Sequence, residues 1–429
     1  MNLLIVTSLY PPLGHSGHDE RCRQAAAGMV RSGHRVQVLT SDHRLPPIGQ
    51  LEEQGIFREF RLYEDSAHLE KLGSCYHSTL EHEDYNRRIL AYRLARFKPD
   101  LVWVWNMRGL SKSLLFYLQA SNAPVVYDLH ADWLRPESFS EDPWYRWWYQ
   151  DGRVRSRIRR KWNGLGRARK ARRELPDMGQ PQDLDIRHGY VCSESLRKEL
   201  VESGIHQAAS LPVIYPFSDE SNIIPKTSYT PGGSSLMWAG RINRMKAPDL
   251  ALRAVAQLRD RGVATSLDLF VMGSPSQRKA LRSEIEALNL QDQVRIRGIR
   301  PGEQYQYYQK YDALLYTSRG NDPFPITVQE AILSKLPCVF AKTGGIPEVF
   351  DGLQTRIDFE AGDAHALAEA IERFLQLEDG GQAIAEAKVK SLRQAGTFES
   401  LKAHLEQVAD SNSQKSYRSS TSGVCCSNP

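Results

Sequence analysis

Along the 429 residues, short and nearly continuous apolar runs alternate with stretches in which apolar residues recur every three or four positions. The runs LLIVTSL (3–9), RVQVLTS (35–41), LVWVW (101–105), PVVYDLH (124–130), GYVCS (189–193), SLMWAG (235–240), LDLFVMG (267–273), VRIRG (294–298), ALLYTS (313–318) and CVFAK (338–342) predict β-strands. Between them, segments 18–31, 84–97, 248–260, 276–288, 303–310, 326–335 and 363–377 carry the helical period. Strands apolar on both faces and separated by helices imply parallel sheets covered on both sides, with ligands beyond the carboxyl ends of the strands. The pattern predicts an α/β protein with two Rossmann-like parallel-sheet domains facing across a cleft. The break falls near YPFSDESNIIPKTSYTPGGSS (215–235), rich in Pro, Gly and Ser. The first domain is therefore expected at 1–217, joined by a returning helix near 397–410. The second is expected at 218–396, and residues 411–429 as a disordered, Ser-rich tail.

Composition is that of an ordinary water-soluble chain, 41% hydrophobic and 25% charged. No apolar run approaches the roughly 18 residues of a membrane span. The opening MNLLIVTSLYPP is cut by Pro11 and Pro12 before a signal-peptide core could form, so a cytoplasmic protein is expected. Six cysteines without a C-x-x-C pair suit reduced thiols rather than disulfides or zinc. The net charge of +5 is local in origin: RVRSRIRRKWNGLGRARKARR (153–173) holds 11 Lys or Arg and no acid, and the rest of the chain stands at −6.

Candidate chemistry concentrates in the second half. In NDPFPITVQEA (321–331), Pro325 fits a helix start, after which the N–H groups of Ile326 and Thr327 point outward as an anion or hydroxyl site. Asp322 precedes that start, and Glu330 lies about 7.5 Å along the helix axis, so one ligand could span both carboxylates. In WAGRINRMKAPDLALRAV (238–255) a strand ends near Gly240 and a helix begins near Pro248. The turn between them carries Arg241 and Lys246, which could hold a diphosphate or merely dress a surface loop.

These pieces resemble, over most of the chain, the retaining glycosyltransferases of family 4 (group 1), which have the two-domain GT-B fold. SLYPPLGHSGHDERCRQAAAGMVRSGHRVQVLT looks like the family's loop, helix, Gly-His and second strand. Gly17 stands at the second loop glycine, Gly33-His34 at the later pair, and Ser16 in place of the first glycine. GRINRMK, VMGSPSQ, VRIRGIRP, DPFPITVQEA and KTGGIPEV follow in the family's order. The resemblance implies transfer of a sugar from a nucleotide-diphosphate donor to a hydroxyl of a glycan or lipid-linked acceptor, with retention, in polysaccharide or glycolipid biosynthesis. It implies no cofactor and no metal. Arg241 and Lys246 would grip the diphosphate and Glu330 the ribose. Asp322 would meet hydroxyls of the transferred sugar, helped by backbone N–H groups of Phe324, Ile326 and Thr327. Gly298 and Ile299 would lie near the nucleobase, His130 would face the donor sugar, and Gly17 would let its loop approach the phosphates. One cationic donor holding a leaving group is worth on the order of 2.7–4 kcal/mol in the transition state. Three departures stand out: Asp322 replaces the usual Glu, Pro325 the usual Gly, and VIYPFSD (213–219) an Asn-Gly turn.

Other readings compete. His130 alone could be a packed strand-end histidine. Asp42 stands where a dinucleotide fold has its ribose acid, but Gly14-His15-Ser16-Gly17 is not G-x-G-x-x-G, and a surface loop is the simpler reading. Asp183-Leu184-Asp185 has D-x-D spacing in a Pro/Gln-rich stretch, without the strand end a metal site would use. His77, His82, Glu83 and Asp84 lack H-E-x-x-H spacing and read as a solvated helix start. The stretch 142–173 joins Trp144, Trp147, Trp148 and Trp162 to the basic run. It could anchor a peripheral protein on the anionic inner face of a membrane, contact nucleic acid (the least favoured), or present a solvated face around packed aromatics. Two alternatives to a transferase stay open: a nucleotide-sugar epimerase of the same fold, and a non-catalytic binding protein using 153–173.

Overall fold

The computed structural model describes residues 1–13, 17–42, 54–63, 76–121, 123–130, 132–146, 178–217, 220, 223–299, 303–320, 322–350, 356–383, 385–386 and 397–421. The chain divides into two compact units, one of residues 1–192, 197–214 and 398 onward, the other of residues 193–196 and 215–397.

In the first unit, β1 (Asn2–Val6), β2 (Arg35–Ser41), β3 (Ile56–Phe60), β4 (Leu101–Val104), β5 (Val125–Leu129) and β6 (Tyr190–Val191) form one sheet in the order β3-β2-β1-β4-β5-β6. Its pairs are parallel, with Leu3 opposite Val36 on one side and Leu101 on the other. β4 and β5 are buried at every position, as a sheet covered on both faces requires. Helices α1 (Gly17–Arg31), α2 (Tyr76–Phe97) and α3 (Ser113–Ala120) belong to this unit.

The second unit repeats the design. β7 (Ser235–Arg241), β8 (Ser266–Met272), β9 (Val294–Gly298), β10 (Ala313–Tyr316), β11 (Cys338–Ala341) and β12 (Ile357–Phe359) run in the order β12-β11-β10-β7-β8-β9. In each parallel sheet the strand order thus reverses between neighbours β1 and β4, or β7 and β10, the switch point beside which such sheets bind ligands. Its helices start on clear local signals. Pro248 opens α4 (Pro248–Asp260), and Ser274 with Gln277 forms a capping box on α5 (Pro275–Ala287). Ile326–Leu333 forms α6. Asp363 accepts the N–H groups of His365 and Ala366 at the start of α7 (Ala364–Leu375). Leu367, Ile371 and Phe374 of α7 then join Leu250, Ala251, Val255 and Leu258 of α4 in one core with the strands.

The last helix, α8 (Phe398–Thr421), returns to the first unit, and the expected boundary at 411 falls inside it. Phe398 lies on Gly28 of α1, where an added Cβ would come within 2.5 Å of its ring. The His34 ring meets Glu406 at 3.0 Å, and His404 donates to the His188 carbonyl at 2.9 Å.

Several expectations need correction. β3 and β12, one edge strand of each sheet, were not foreseen, and segment 303–310 is two 3-10 turns rather than an α-helix. His82 and Glu83 are no solvated helix start: α2 begins at Tyr76, and these side chains are 6% and 1% exposed inside it. The Glu83 carboxylate accepts hydrogen bonds from Tyr63 and Ser113. Burial and the nearby Asp142 charge push its pKa up to about 7. Burial likewise lowers His82 to about 4. Trp144 is buried above Asp142, whose carboxylate accepts the N–H groups of Trp144 and Tyr145. Trp147, Trp148, Trp162 and the whole run 153–173 lie outside the described residues. Cys22, Cys192 and Cys338 are buried free thiols.

Candidate active site

In the second unit, β7 ends at Arg241 and β10 at Tyr316, neighbouring strands on either side of the switch point. The loop after β7 is tied to the segment after β10. The Thr317 hydroxyl lies 2.9 Å from the carbonyls of both Lys246 and Ala247 and accepts the Trp238 indole N–H at 2.9 Å. Ser318 donates to the Met245 carbonyl at 3.1 Å, and Asn243 accepts the Lys246 N–H at 2.8 Å. The result is a fixed direction for one side chain: the Lys246 ammonium forms an ion pair with Asp322. It also lies 5.3 Å from the centre of the Tyr316 ring. Tyr316 in turn donates its hydroxyl to Asp322 at 2.8 Å.

Burial would raise the pKa of Asp322, but the charge and hydrogen bond of Lys246, the Tyr316 hydroxyl and the Arg241 charge outweigh it and hold the carboxyl below its usual range. Arg241 is exposed, and its guanidinium makes no hydrogen bond or ion pair among the described residues. An ionised acid, a paired ammonium and an open guanidinium therefore stand beyond two adjacent strand ends. Such a group can hold a diphosphate with one set of donors and a hydroxyl with the carboxylate.

The loop that carries Asp322 rests on two glycines. Gly345 donates its N–H to the Asp322 carbonyl at 3.0 Å, and Thr343 donates to the Gly320 carbonyl at 2.8 Å. A Cβ on Gly344 would meet the Asp322 carbonyl oxygen at 2.0 Å, and one on Gly345 the Pro323 oxygen at 2.0 Å. The KTGG motif is thus a backbone seat for the acid loop.

Pro325 takes the N-cap position rather than the first helical turn. Val328 and Gln329 return their N–H groups to its carbonyl, which leaves those of Ile326 and Thr327 facing out of the helix start. Phe324 is buried against Tyr215, with ring centres 5.5 Å apart. Glu330 is 2% exposed, and its carboxylate accepts from Gln304 (3.0 Å), Tyr305 (3.0 Å) and Tyr308 (2.8 Å). Gly298 ends the edge strand β9 and is exposed, with Ile299 following it. Gly298 and Ile299 lie on the opposite flank of β7 from β10 in strand order.

In the first unit, Gly17 is the exposed first residue of α1 and His130 follows β5 directly. The His130 Nδ1 bonds the Asp128 carboxylate, which also meets His18 Nε2 at 3.3 Å and accepts the Tyr190 hydroxyl at 2.6 Å. Trp105 lies against both imidazoles, with ring centres 5.2 Å from His18 and 6.4 Å from His130. The Arg21 guanidinium sits 5.7 Å from the Trp105 ring centre. Burial and the Arg21 charge lower His130 to about 3, so it is neutral near pH 7. Asp128 is ionised: burial opposes that, but its contacts with His130 and His18 drive the pKa far below the usual range. Among the described residues, His18, Asp128 and His130 are the group whose ligand atoms, all within 4.8 Å, could hold a metal ion.

Asp128, His18, Arg21 and Tyr316 were not foreseen. The D-x-H spacing of Asp128 and His130 was the available signal, because alternate strand residues share a face. Asp183, by contrast, accepts the Gln180 N–H of its own turn and Asp185 pairs with Arg187, so the D-x-D pair serves local structure.

Two such parallel-sheet units make a two-domain GT-B fold, the architecture of a class of glycosyltransferases. Residues 16–160 match the family model of the glycosyl transferase 4-like domain, and residues 223–391 that of glycosyl transferases group 1. The chain belongs to the group 1 glycosyltransferases. It is 30% identical over 161 residues to a D-inositol 3-phosphate glycosyltransferase of Corynebacterium diphtheriae, covering 36% of this chain and 37% of that one. It is 26% identical over 144 residues to a 2-deoxystreptamine N-acetyl-D-glucosaminyltransferase of Niallia circulans, covering 34% and 36%. The matches thus span little more than a third of these relatives' length. Among solved structures, sucrose-phosphate synthase of Thermosynechococcus elongatus shares the fold at a TM-score of 0.64 and 14% identity, covering 98% of this chain and 99% of that one. HepE of Anabaena, solved in complex with UDP-glucose, does so at 0.63 and 18%, covering 96% and 100%.

Proposed function

We propose that this protein transfers a sugar from a nucleotide-diphosphate donor to an acceptor hydroxyl, with retention of configuration and without a divalent ion. The observation that carries the reading is the convergence of Lys246, Asp322 and Tyr316 with Arg241 beyond the neighbouring ends of β7 and β10. Breaking the sugar C1–O bond leaves negative charge on the diphosphate. The two cations and the open N–H groups of α6 would stabilise it as it develops. Asp322 would take sugar hydroxyls, giving up part of its contact with Lys246 as phosphate arrives. Glu330 would offer the ribose an acceptor already oriented by two tyrosines. His130, neutral at working pH, would accept from a sugar hydroxyl.

The similarity to D-inositol 3-phosphate glycosyltransferases favours polyols and their phosphates as first acceptors to try, alongside lipid-linked glycans. Association with an anionic membrane from the cytoplasmic side is supported by the sequence of 142–173. No helix among the described residues is long and apolar enough to cross a membrane. Charge reversal at Arg157, Arg159 and Arg160 is expected to abolish sedimentation with anionic vesicles, and unchanged sedimentation would remove that association.

The test of the main reading is nucleoside diphosphate release from a panel of nucleotide sugars, with and without acceptors and with and without a chelator. Acceptor-dependent release that survives chelation supports it. Epimerised donor without release would indicate an epimerase instead, and silence across the panel with binding of nucleic acid a non-catalytic protein. The anomeric configuration of the isolated product decides retention.

A further inference from the structure

We infer that Asp128 is a positioning residue that fixes the tautomers of two imidazoles, His130 and His18, so that each presents its remaining ring nitrogen as a hydrogen-bond acceptor. A fully buried carboxylate inside β5 needs donors, and here it has three: His130 Nδ1–H, His18 Nε2–H and the Tyr190 hydroxyl. The Tyr190 oxygen is itself held by the Trp103 indole N–H at 3.2 Å, which anchors the carboxylate from behind. A carboxylate that accepts at one nitrogen of a neutral imidazole leaves the lone pair on the other.

His130 Nε2 is then an acceptor, and it is buried without a partner among the described residues. An unpartnered buried acceptor is unfavourable unless a ligand supplies a donor. The Arg21 guanidinium on the same aromatic surface disfavours a second proton on the ring. A neutral acceptor beside a tryptophan face suits a hydroxyl group of a sugar or polyol rather than an anion.

The catalytic arm of this inference rests on the transferase reading, whereas the tautomer arm does not. The experiment uses the full chain labelled with ¹⁵N-histidine, with His130→Gln and His18→Gln assigning the two rings. Wild type is expected to show His130 as the Nδ1–H tautomer and His18 as the Nε2–H tautomer at pH 7. In Asp128→Asn the ring proton of His130 redistributes toward Nε2. The turnover number for nucleotide sugar falls roughly tenfold or more while the donor KM stays within about twofold. Tyr190→Phe removes one donor to Asp128 without adding volume. It should shift the same signals in the same direction by less, which decides the matter if Asp128→Asn does not fold. A wild-type His130 carrying its proton on Nε2, or an Asp128→Asn protein with unchanged tautomers and turnover, would overturn the inference. Stoichiometric zinc bound by these three residues, with turnover lost on chelation, would overturn it as well. If wild type turns over no nucleotide sugar, the transferase reading fails and the tautomers alone decide this one.

Discussion

Ala247 adopts φ 49°, the left-handed region that costs an alanine roughly 1–2 kcal/mol. That conformation turns the chain from the β7 loop into Pro248 at the start of α4 and leaves Lys246 aimed at Asp322. The strain is held by a buried methyl and by the Thr317 hydroxyl, which serves the carbonyls of Lys246 and Ala247 while accepting from Trp238. Thr317→Val preserves shape but strands the Trp238 N–H and removes the tie to the loop. It is expected to destabilise the protein by about 1–3 kcal/mol in urea unfolding. It should also weaken nucleotide-sugar binding, because Lys246 loses its fixed direction.

At the scale of elements, the acid loop and the glycine seat form one unit. Gly345→Ala drives a methyl into the Pro323 carbonyl, so the loop bearing Asp322 must move. Donor KM is expected to rise with little change in the melting temperature of the remaining fold, a split that kinetics and calorimetry resolve. A different joint links α2 to α3 through buried Glu83, with a native pKa of about 7 against an ordinary 4.5. A carboxyl raised on folding stabilises fully below its unfolded pKa and loses that contribution as pH rises through the folded one. Stability should therefore fall by on the order of 3 kcal/mol between pH 4.5 and 7 from this group. Glu83→Gln should flatten that part of the curve and be more stable than wild type at pH 8, as urea midpoints across pH would show.

How much of this was legible follows from the same elements. β2, β9 and α4 read off the sequence with the observed boundaries, because β-branched residues recur along RVQVLTS and VRIRG and Pro248 marks the helix start. β3 and β12 escaped because IFREF carries charges on a half-exposed edge and IDF is three residues long. Lys246 and Asp322 were legible from motif spacing. Tyr316 and Asp128 were passed over because each sits inside an apolar strand run; the D-x-H spacing pairs Asp128 with His130, but its contacts with His18 and Tyr190 arise only once the chain folds. Glu83 was misread because its Tyr63 and Ser113 partners lie 20 and 30 residues away.

For the whole molecule, one architecture is used twice, with each unit setting its polar chemistry beyond the ends of buried parallel strands. The first unit contributes two imidazoles held on a buried carboxylate, suited to hydroxyl groups. The second contributes cations and an ionised acid, suited to a diphosphate ester. The central claim concerns the second, and calorimetric titration of the full chain with nucleoside diphosphates tests it most directly. At least one should bind wild type, and Lys246→Ala should bind that same ligand at least roughly tenfold more weakly without loss of folded structure. Equal affinity of the two proteins for every nucleoside diphosphate that binds would contradict the account.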